Sequence, residues 1–499
     1  MIFFLVSLLI AIFIGLSLVH IVFPAWKGGA AVFFKLCLGA GLGLGITSCM
    51  LFLSLLFLGS RFAFLPEFFL VILALGGWWL MFKKGVRRDV NLPPAGRTGF
   101  RFQRALAAVF YGGLLSFIIS FALSVVREPH GKWDAWLIWN MHARFIFRAG
   151  EHWQDYFRSG LDWTHPDYPL MLPLSIVRFW KYIGADSLSV PIVLSFLFTF
   201  ALVGLVVSSL AILRSENQGY LGGLVLVGSP FLILMGASQL ADIPLAFFLL
   251  ASIILFFLHD RLPEGHHPIL FLAGVAAGLV AWTKNEGLLI LLVVLLVRFF
   301  IVTGTEGWKN AVKQFFWLMA GVLPVLMVVV AFKVILAPPT DLFAGQDIHK
   351  IWDRLSDLQR YKTILGAYIQ TGLTFTQGIP DIRTGFRLSP GVAGIAVLAV
   401  YLFVMGMAVD RRDKRNILCG IMVALITLAC YFVVYLITPH SLDWHLVTSL
   451  NRLFLQVWPM VVFITFMAAR TPDVVFPLGE YRQQSACAVS NRPGTKKRK

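Results

Sequence analysis

Apolar residues run through the chain in long blocks separated by short polar segments. A helix needs about 20 apolar residues to cross a bilayer core. On that scale thirteen blocks are transmembrane candidates: 2–22, 31–58, 64–82, 105–126, 188–213, 219–236, 242–258, 269–283, 287–303, 314–337, 389–409, 416–438 and 451–469. A shorter block, 170–183, carries Arg178 and Lys181. It reads either as a re-entrant or interfacial helix or as one more span, and as a span it would invert everything after it. No basic segment precedes the first block, which predicts a first span rather than a cleaved signal peptide. The expected fold is all-α: a polytopic bundle of about 13 spans. Within 347–361, Ile348, Ile351, Trp352, Leu355 and Leu358 share one helical face, the pattern of an amphipathic helix lying on a membrane surface. Gly41, Gly43 and Gly45 lie inside a block and predict close helix packing.

Composition supports this reading. Charged residues make up 13% of the chain and hydrophobic ones 58%, whereas a soluble domain carries about a quarter charged residues. The 45 Phe and 15 Trp suit lipid-facing walls and interfacial belts. The net charge of +17 raises nucleic acid as a partner, but its distribution argues against that. Seven Lys and Arg fall in 83–104 against the single acid Asp89; Arg411, Arg412, Lys414 and Arg415 fall in 410–415; the chain closes on Lys496, Lys497, Arg498 and Lys499. Short basic segments between spans are cytoplasmic, and thirteen spans put all three on one side. An error of one span would split them. The same count sends the N-terminus and 127–187, 237–242, 282–287, 338–388 and 439–450 to the other side. Three regions are expected: N-terminal helices and a basic cytoplasmic loop over 1–104, the main membrane unit over 105–470, and a basic, disordered cytoplasmic tail over 471–499. The five Cys, at 37, 49, 419, 430 and 487, show no paired spacing and predict no disulfide framework.

The unusual polar residues concentrate in that second set of segments. Trp133, Trp136 and Trp139 flank Asp134 at three-residue spacing. Asp134 reads as a base at the edge of low dielectric, where a carboxyl tends upward in pKa, or as a helix cap beside an aromatic belt. His165-Pro166-Asp167-Tyr168-Pro169 reads as an extended segment displaying His165, Asp167 and Tyr168, or as a rigid turn starting a helix at Pro169. Asp242, two residues before Pro244, reads as a cap, a metal ligand or a base. Lys284 and Glu286 share a tight turn and are either a mutual ion pair or, for Lys284, an anion site. Arg452 lies just inside an apolar block, either snorkelling or binding an anionic head group. His445 and Thr448 are one helical turn apart. The chain has no phosphate-cradling Gly-x-x-x-x-Gly-Lys loop, no His-Glu-x-x-His and no Gly-x-Ser-x-Gly, so no cytoplasmic nucleotide site is expected.

Over about 105–470 this arrangement resembles the GT-C class of membrane glycosyltransferases, in the bacterial branch related to protein O-mannosyltransferases and the lipid A aminoarabinose transferase. The resemblance rests on Asp134 in a long loop after an early span, on 165–169, on Asp242 opening a later span, and on the turn Lys284-Asn285-Glu286. It implies transfer of a sugar from a polyprenyl-phosphate donor to a lipid, glycan or protein acceptor, with inversion, at the extracytoplasmic face of a bacterial inner membrane. It further implies Asp134 as base, and Lys284 and Arg452 on the donor phosphate. His165, Asp167, Tyr168, Glu286 and His445 would orient donor or acceptor, with Asp242 as a divalent-metal ligand if a metal is used. Two departures stand out. Ala135 follows Asp134 where protein O-mannosyltransferases carry Glu, which weakens a protein acceptor, and three spans precede the expected first one.

Two other classes fit a polytopic chain: a transporter or lipid-carrier flippase, and a noncatalytic anchoring protein. A transporter places its polar residues near the midplane, often in matched halves with broken helices. Here they fall at span ends, no internal repeat is evident, and an anchor gives no reason for acids and bases to converge.

Overall fold

A computed structural model describes residues 2–23, 26, 28–84, 102–158, 160–262, 266–340, 347–376 and 393–476. Most of the basic segment 83–104 and nearly all of the tail 471–499 lie outside these residues. The described chain is helical, with one isolated β-bridge between Met407 and Ala469. The long helices are α1 (Ile2–Val22), α2 (Gly29–Phe57), α3 (Leu65–Lys84), α4 (Gln103–Arg127), then after a short α5 (Asn140–Arg148) and α6 (Met171–Ile183), α7 (Ser189–Leu213). There follow α8 (Glu216–Val227), α9 (Pro230–Ala237), α10 (Asp242–Arg261), α11 (Pro268–Thr283), α12 (Asn285–Glu306) and α13 (Trp308–Ile335). The last are α14 (Ile348–Ser356), α15 (Leu358–Thr374), α16 (Gly394–Met405), α17 (Lys414–Ile437), α18 (Leu442–Ala468) and α19 (Pro472–Val475).

Ten of these helices are long and apolar enough to cross a membrane, or eleven if the bent pair α8–α9 is one span. The chain is therefore an integral membrane protein of polytopic helical type. The block 219–236 is not one rod: Ser229 caps α9 by accepting from Leu232 N–H at 3.2 Å, Pro230 opens it, and the axis turns by 70°. α11 and α16 are shorter, at 16 and 12 residues. The block 170–183 forms α6, whose 13 residues reach about 20 Å at 1.5 Å per residue, too short to cross.

Helix ends gather at two poles, here called upper and lower. At the lower pole Arg261 of α10 pairs with Asp413 before α17 and donates to Leu213 O of α7 at 2.5 Å. Asn217 of α8 donates to Asp473 at 2.6 Å. The basic stretch 410–415 sits here. At the upper pole lie the starts of α10, α12 and α18 and the ends of α11, α13 and α17. α15 starts at that pole, where Arg360 donates to Tyr435 O and Leu436 O at 2.9 Å. It descends beside α17 and α18 and stops near Trp458. α16 resumes there, Gly394 N–H bonding Phe375 O at 3.1 Å, and finishes at the lower pole. The amphipathic pattern over 347–361 is thus two helices. Exposed Ile348 and Trp352 mark α14 as a surface element, while Asp357 caps α15, which continues inward to Thr374.

α10 is apolar all round and almost wholly buried against α7, α11 and α18, as expected of a helix with no polar stripe. α3 and α4 turn most of their apolar surface outward, where lipid solvates it. Small residues set the closest approaches. A methyl group on Gly43 would lie 1.9 Å from Ala11 O, and one on Gly274 2.0 Å from Leu318 O. Gly41 and Gly45 likewise back onto Phe247 and Leu279. α1 and α2 share the core of the later helices rather than standing apart. Cys37, Cys49, Cys419 and Cys430 are unbridged.

α6 is held in place by charge. Arg178, fully buried, donates to Glu67 of α3 at 2.7 and 2.5 Å and to Ser7 O of α1 at 2.9 Å. Removing one partner of a buried pair costs about 3–5 kcal/mol because the other charge is stranded. Arg178→Ala should therefore destabilise the protein in detergent by that order, and adding Glu67→Gln should recover part of the loss. Unfolding midpoints that leave the single variant at the wild-type value would remove this pair as the anchor of α6.

Candidate functional site

The tight hairpin between α11 and α12 creates the centre of the site. Gly287, in the first turn of α12, backs so closely onto α11 that a Cβ would sit 1.9 Å from Val280 O. Lys284 between the two helices adopts extended backbone, and its ammonium is turned into the protein. There it meets Asp242 Oδ1 at 3.1 Å and Glu286 Oε1 at 3.0 Å. Burial alone would lower the Lys284 pKa, but these two carboxylates outweigh it and the net direction is upward. The ammonium is therefore kept charged.

Asp242 opens α10 but does not cap it, since the capping position is Ala241 and no side chain bonds there. Its carboxylate is instead taken up by ions. Oδ1 accepts from Lys284 and from Gln456 Nε2 at 2.7 Å, and Oδ2 faces Arg452 Nε at 3.6 Å. Gln456 in turn accepts from Tyr431 OH at 2.6 Å. Arg452 also pairs with Asp134. Asp134 starts the π-helical turn Ala135–Trp139 and likewise makes no cap bond. One connected network thus joins Asp134, Arg452, Asp242, Lys284 and Glu286, drawn from segments up to 318 residues apart.

The segment 165–169 borders this network. It is a turn rather than an extended display: His165 has φ 52°, and Tyr168 N–H returns to His165 O at 3.0 Å. Asp167 is buried and accepts from Asn285 Nδ2 at 2.6 Å, while Lys333 of α13 donates to Asp167 O and Asn285 Oδ1, each at 2.6 Å. Tyr168 packs between Trp139 at 5.6 Å and His165 at 4.9 Å. Of the three tryptophans around Asp134, Trp133 and Trp136 are exposed in an edge-on pair and Trp139 is buried. Gln239, at φ 60°, donates to Pro129 O and accepts from Asn140 Nδ2 at 2.9 Å, tying 127–140 to the start of α10. Non-glycine residues at positive φ cost of order 1–3 kcal/mol and cluster at functional sites; two of the three described here border this one. His445 is one layer out, its Nδ1 on Thr438 Oγ1 at 2.9 Å and its ring 4.8 Å from Tyr435. Thr448 bonds backbone carbonyls rather than the His445 ring.

Sequence reading misses Gln456, Tyr431 and Lys333. Gln456 had a signal, one helical turn beyond Arg452 on the same face of α18. Lys333 is a lone cation near the end of an apolar block, the type of residue that pairs or lines a path. Tyr431 had none.

The neighbours of Asp242 do not suit a divalent metal. Both oxygens already face cations, and among the described residues no group of three or more His, Cys, Asp or Glu is placed to hold one.

Comparison of the chain with protein-family models, with curated proteins and with solved structures returned no match.

The buried network makes coupling measurable. Lys284→Met should strand Asp242 and lower stability, and Asp242→Asn in the same chain should restore part of it. Residues sharing an ionic network couple by about 0.5–3 kcal/mol, and additive losses in a double-mutant cycle would deny the contact. A second expectation concerns pH. His142, buried with Nε2 2.8 Å from Thr164 O, has its pKa lowered to about 4 by burial, against 6.5 for the free side chain. The stability it contributes is complete above 6.5 and is lost as pH falls through about 4. Amide protection over 140–164, taken relative to the intrinsic exchange rate at each pH, should therefore fall between pH 7 and pH 4 in wild type and less in His142→Gln.

Proposed function

We propose that this protein is a membrane glycosyltransferase that moves a sugar from a polyprenyl-phosphate donor to an acceptor hydroxyl at its upper pole. The observation that carries this reading is the network itself. Three carboxylates and two cations from four separate segments meet at helix ends. A lipid-linked donor presents its phosphate at that depth. The leaving phosphate gains a negative charge and needs preorganised cations rather than an acid. Lys284 has three N–H donors and spends two here, and Arg452 Nε makes no hydrogen bond among the described residues, only a 3.6 Å ion contact with Asp242, so each has capacity left for phosphate oxygens. A proton must leave the acceptor hydroxyl for a base. The Asp134 and Glu286 side chains are about a quarter exposed, although Glu286 Oε2 itself is buried, whereas Asp242 is 1% exposed.

The fold and sidedness follow the GT-C pattern in this proposal. Counting α8–α9 as one crossing, α15–α16 as another and α11 as a third gives thirteen crossings. The positive-inside rule then puts Arg411, Arg412, Lys414 and Arg415 in the cytoplasm and the site on the extracytoplasmic side of the plasma membrane.

The 70° break between α8 and α9 favours a transporter as a second reading, since transporters interrupt helices at the midplane. The residues meeting at this break are Phe231, Phe375, Phe454 and Trp458, with ring centroids 5.3–6.0 Å apart. Aromatic packing there offers an ion nothing, and the charged groups lie at the pole instead.

Purified protein in lipid should transfer labelled sugar from at least one member of a panel of polyprenyl-phosphate hexoses and pentoses. Lys284→Ala and Arg452→Ala should each weaken donor binding about tenfold or more, in keeping with about 1.5–3 kcal/mol for a charged hydrogen bond. Neither transfer nor donor binding across the panel would move the assignment to the transporter.

A further inference from the structure

We infer that Glu286, rather than Asp134, accepts the acceptor's proton, and that Asp134 positions Arg452; this rests on the glycosyl-transfer reading above. Among the described residues two buried atoms of the network have no hydrogen-bond partner, Glu286 Oε2 and Arg452 Nε, the latter 3.6 Å from Asp242 Oδ2. They are opposite in kind. The first can only accept a hydrogen bond when ionised and the second can only donate one. A buried polar atom left unmade costs about 1–3 kcal/mol, so a ligand that supplies both complements is favoured. That ligand presents a hydroxyl hydrogen to Glu286 and a negatively charged oxygen to Arg452. An acceptor alcohol and a sugar phosphodiester, bound together, meet this description.

The charge count points the same way. Asp134, Asp242 and Glu286 carry three formal negative charges against two positive ones on Lys284 and Arg452. Asp167 and Lys333 border the network and cancel each other. One negative charge is in excess, in surroundings where excess charge is expensive. Asp134 is engaged by Arg452 and Asp242 by Lys284, Gln456 and Arg452. Glu286 only shares Lys284, through Oε1. The excess is therefore assigned to the carboxylate whose second oxygen is bare.

The step balances as follows. The acceptor oxygen forms a bond to the anomeric carbon while the bond from that carbon to the phosphate oxygen breaks. The bonding pair leaves with the phosphate, which passes from a singly charged diester to a doubly charged monoester beside Arg452 and Lys284. The acceptor proton goes to Glu286 Oε2. The protonated Glu286 then removes the excess negative charge at the moment the phosphate gains one, so the site's total is unchanged across the reaction.

The test compares wild type with Glu286→Gln, Glu286→Asp and Asp134→Asn, each in lipid. It reads kcat for sugar transfer and, separately, binding of the polyprenyl-phosphate sugar that wild type uses. Glu286→Gln should lower kcat by about 100-fold or more, the contribution of a general base, with donor affinity within about threefold. Asp134→Asn should weaken donor affinity, because Arg452 loses its orienting partner, and lower kcat less than Glu286→Gln does. Should Glu286→Gln fail to fold, Glu286→Asp keeps the charge, withdraws the carboxylate by one methylene, and should lower kcat at least tenfold with donor affinity held. The inference is overturned if wild type transfers sugar and Glu286→Gln, or Glu286→Asp where the first does not fold, keeps more than a tenth of the wild-type kcat. It is equally overturned if Asp134→Asn matches the kcat loss with donor affinity intact. Absence of both transfer and donor binding in wild type would instead overturn the reading on which it rests.

Discussion

Asp242 begins a helix buried along its whole length, so its charge has no water to fall back on and must be met by the protein. The partners come from α18, through Arg452 and Gln456, and from the α11–α12 turn, through Lys284. At the other end of the same helix, Asp260 is met by Arg298 of α12 at 2.9 and 3.1 Å and by Arg415 and Asn416 of α17 at 2.7 Å. Eighteen residues separate the two carboxylates, about 27 Å along a helix. The central helix is thus pinned at both poles by charge. α12 supplies Arg298 below and is directly preceded by Lys284 above, and α17 and α18 complete the two sets. The relative position of the upper-pole side chains inherits that rigidity, which suits a site that must hold a phosphate and a hydroxyl in register.

The two poles use the same chemistry to different ends. Among the lower groups, Asp260, Glu306 and Asp413 face Arg298, Arg415 and Arg261, equal in number, and every one of these carboxylate oxygens has a partner. The charges of that cluster balance, although Arg298 Nε, like Arg452 Nε above, has no hydrogen-bond partner among the described residues. The upper network has an excess charge, a bare carboxylate oxygen and a bare guanidinium nitrogen. Neither burial of charge nor a bare polar atom alone marks a site, because both poles have them; the upper network differs in its excess of carboxylates over cations.

How far the sequence reads follows from this. The apolar blocks locate most of the helices because a bilayer demands continuous apolar length, but α18 starts at Leu442, ahead of the block 451–469, since its first turns are polar. Interruptions are harder to see. Across 219–236 hydropathy does not fall at the break, and the signal is only Ser229 before Pro230, a helix start inside an apolar run. α15 is half polar by composition, so it passes for a surface helix although its apolar side runs down α17 and α18. At the site, Asp134, Asp242, Lys284, Glu286 and Arg452 stand out singly, because ionisable residues are rare at span ends. Their pairing does not: Asp242 and Gln456 are 214 positions apart, and no local pattern links them. The cap reading of both Asp134 and Asp242 fails for one reason. A cap bond satisfies one backbone N–H, whereas an ammonium or guanidinium in low dielectric satisfies a whole charge.

The paired state of Lys284 and Arg452 looks at first like an obstacle to phosphate binding. Free cations in a buried pocket would be the greater obstacle. Two unpaired positive charges at that depth would cost more than the fold can sustain, and their side chains would have to be ordered on each binding event. Carboxylates hold them in place beforehand, at the expense of some field strength. On the proposed function a donor phosphate would take the third Lys284 N–H and draw Arg452 Nε away from Asp242 Oδ2, which lies 3.6 Å off without a hydrogen bond. In the proposed reaction such a site would bind its diester only moderately and tighten as the diester becomes a monoester, because each added increment of negative charge on the phosphate would meet cations already in position. An arrangement that binds the product's charge more strongly than the substrate's is the one that accelerates the step between them.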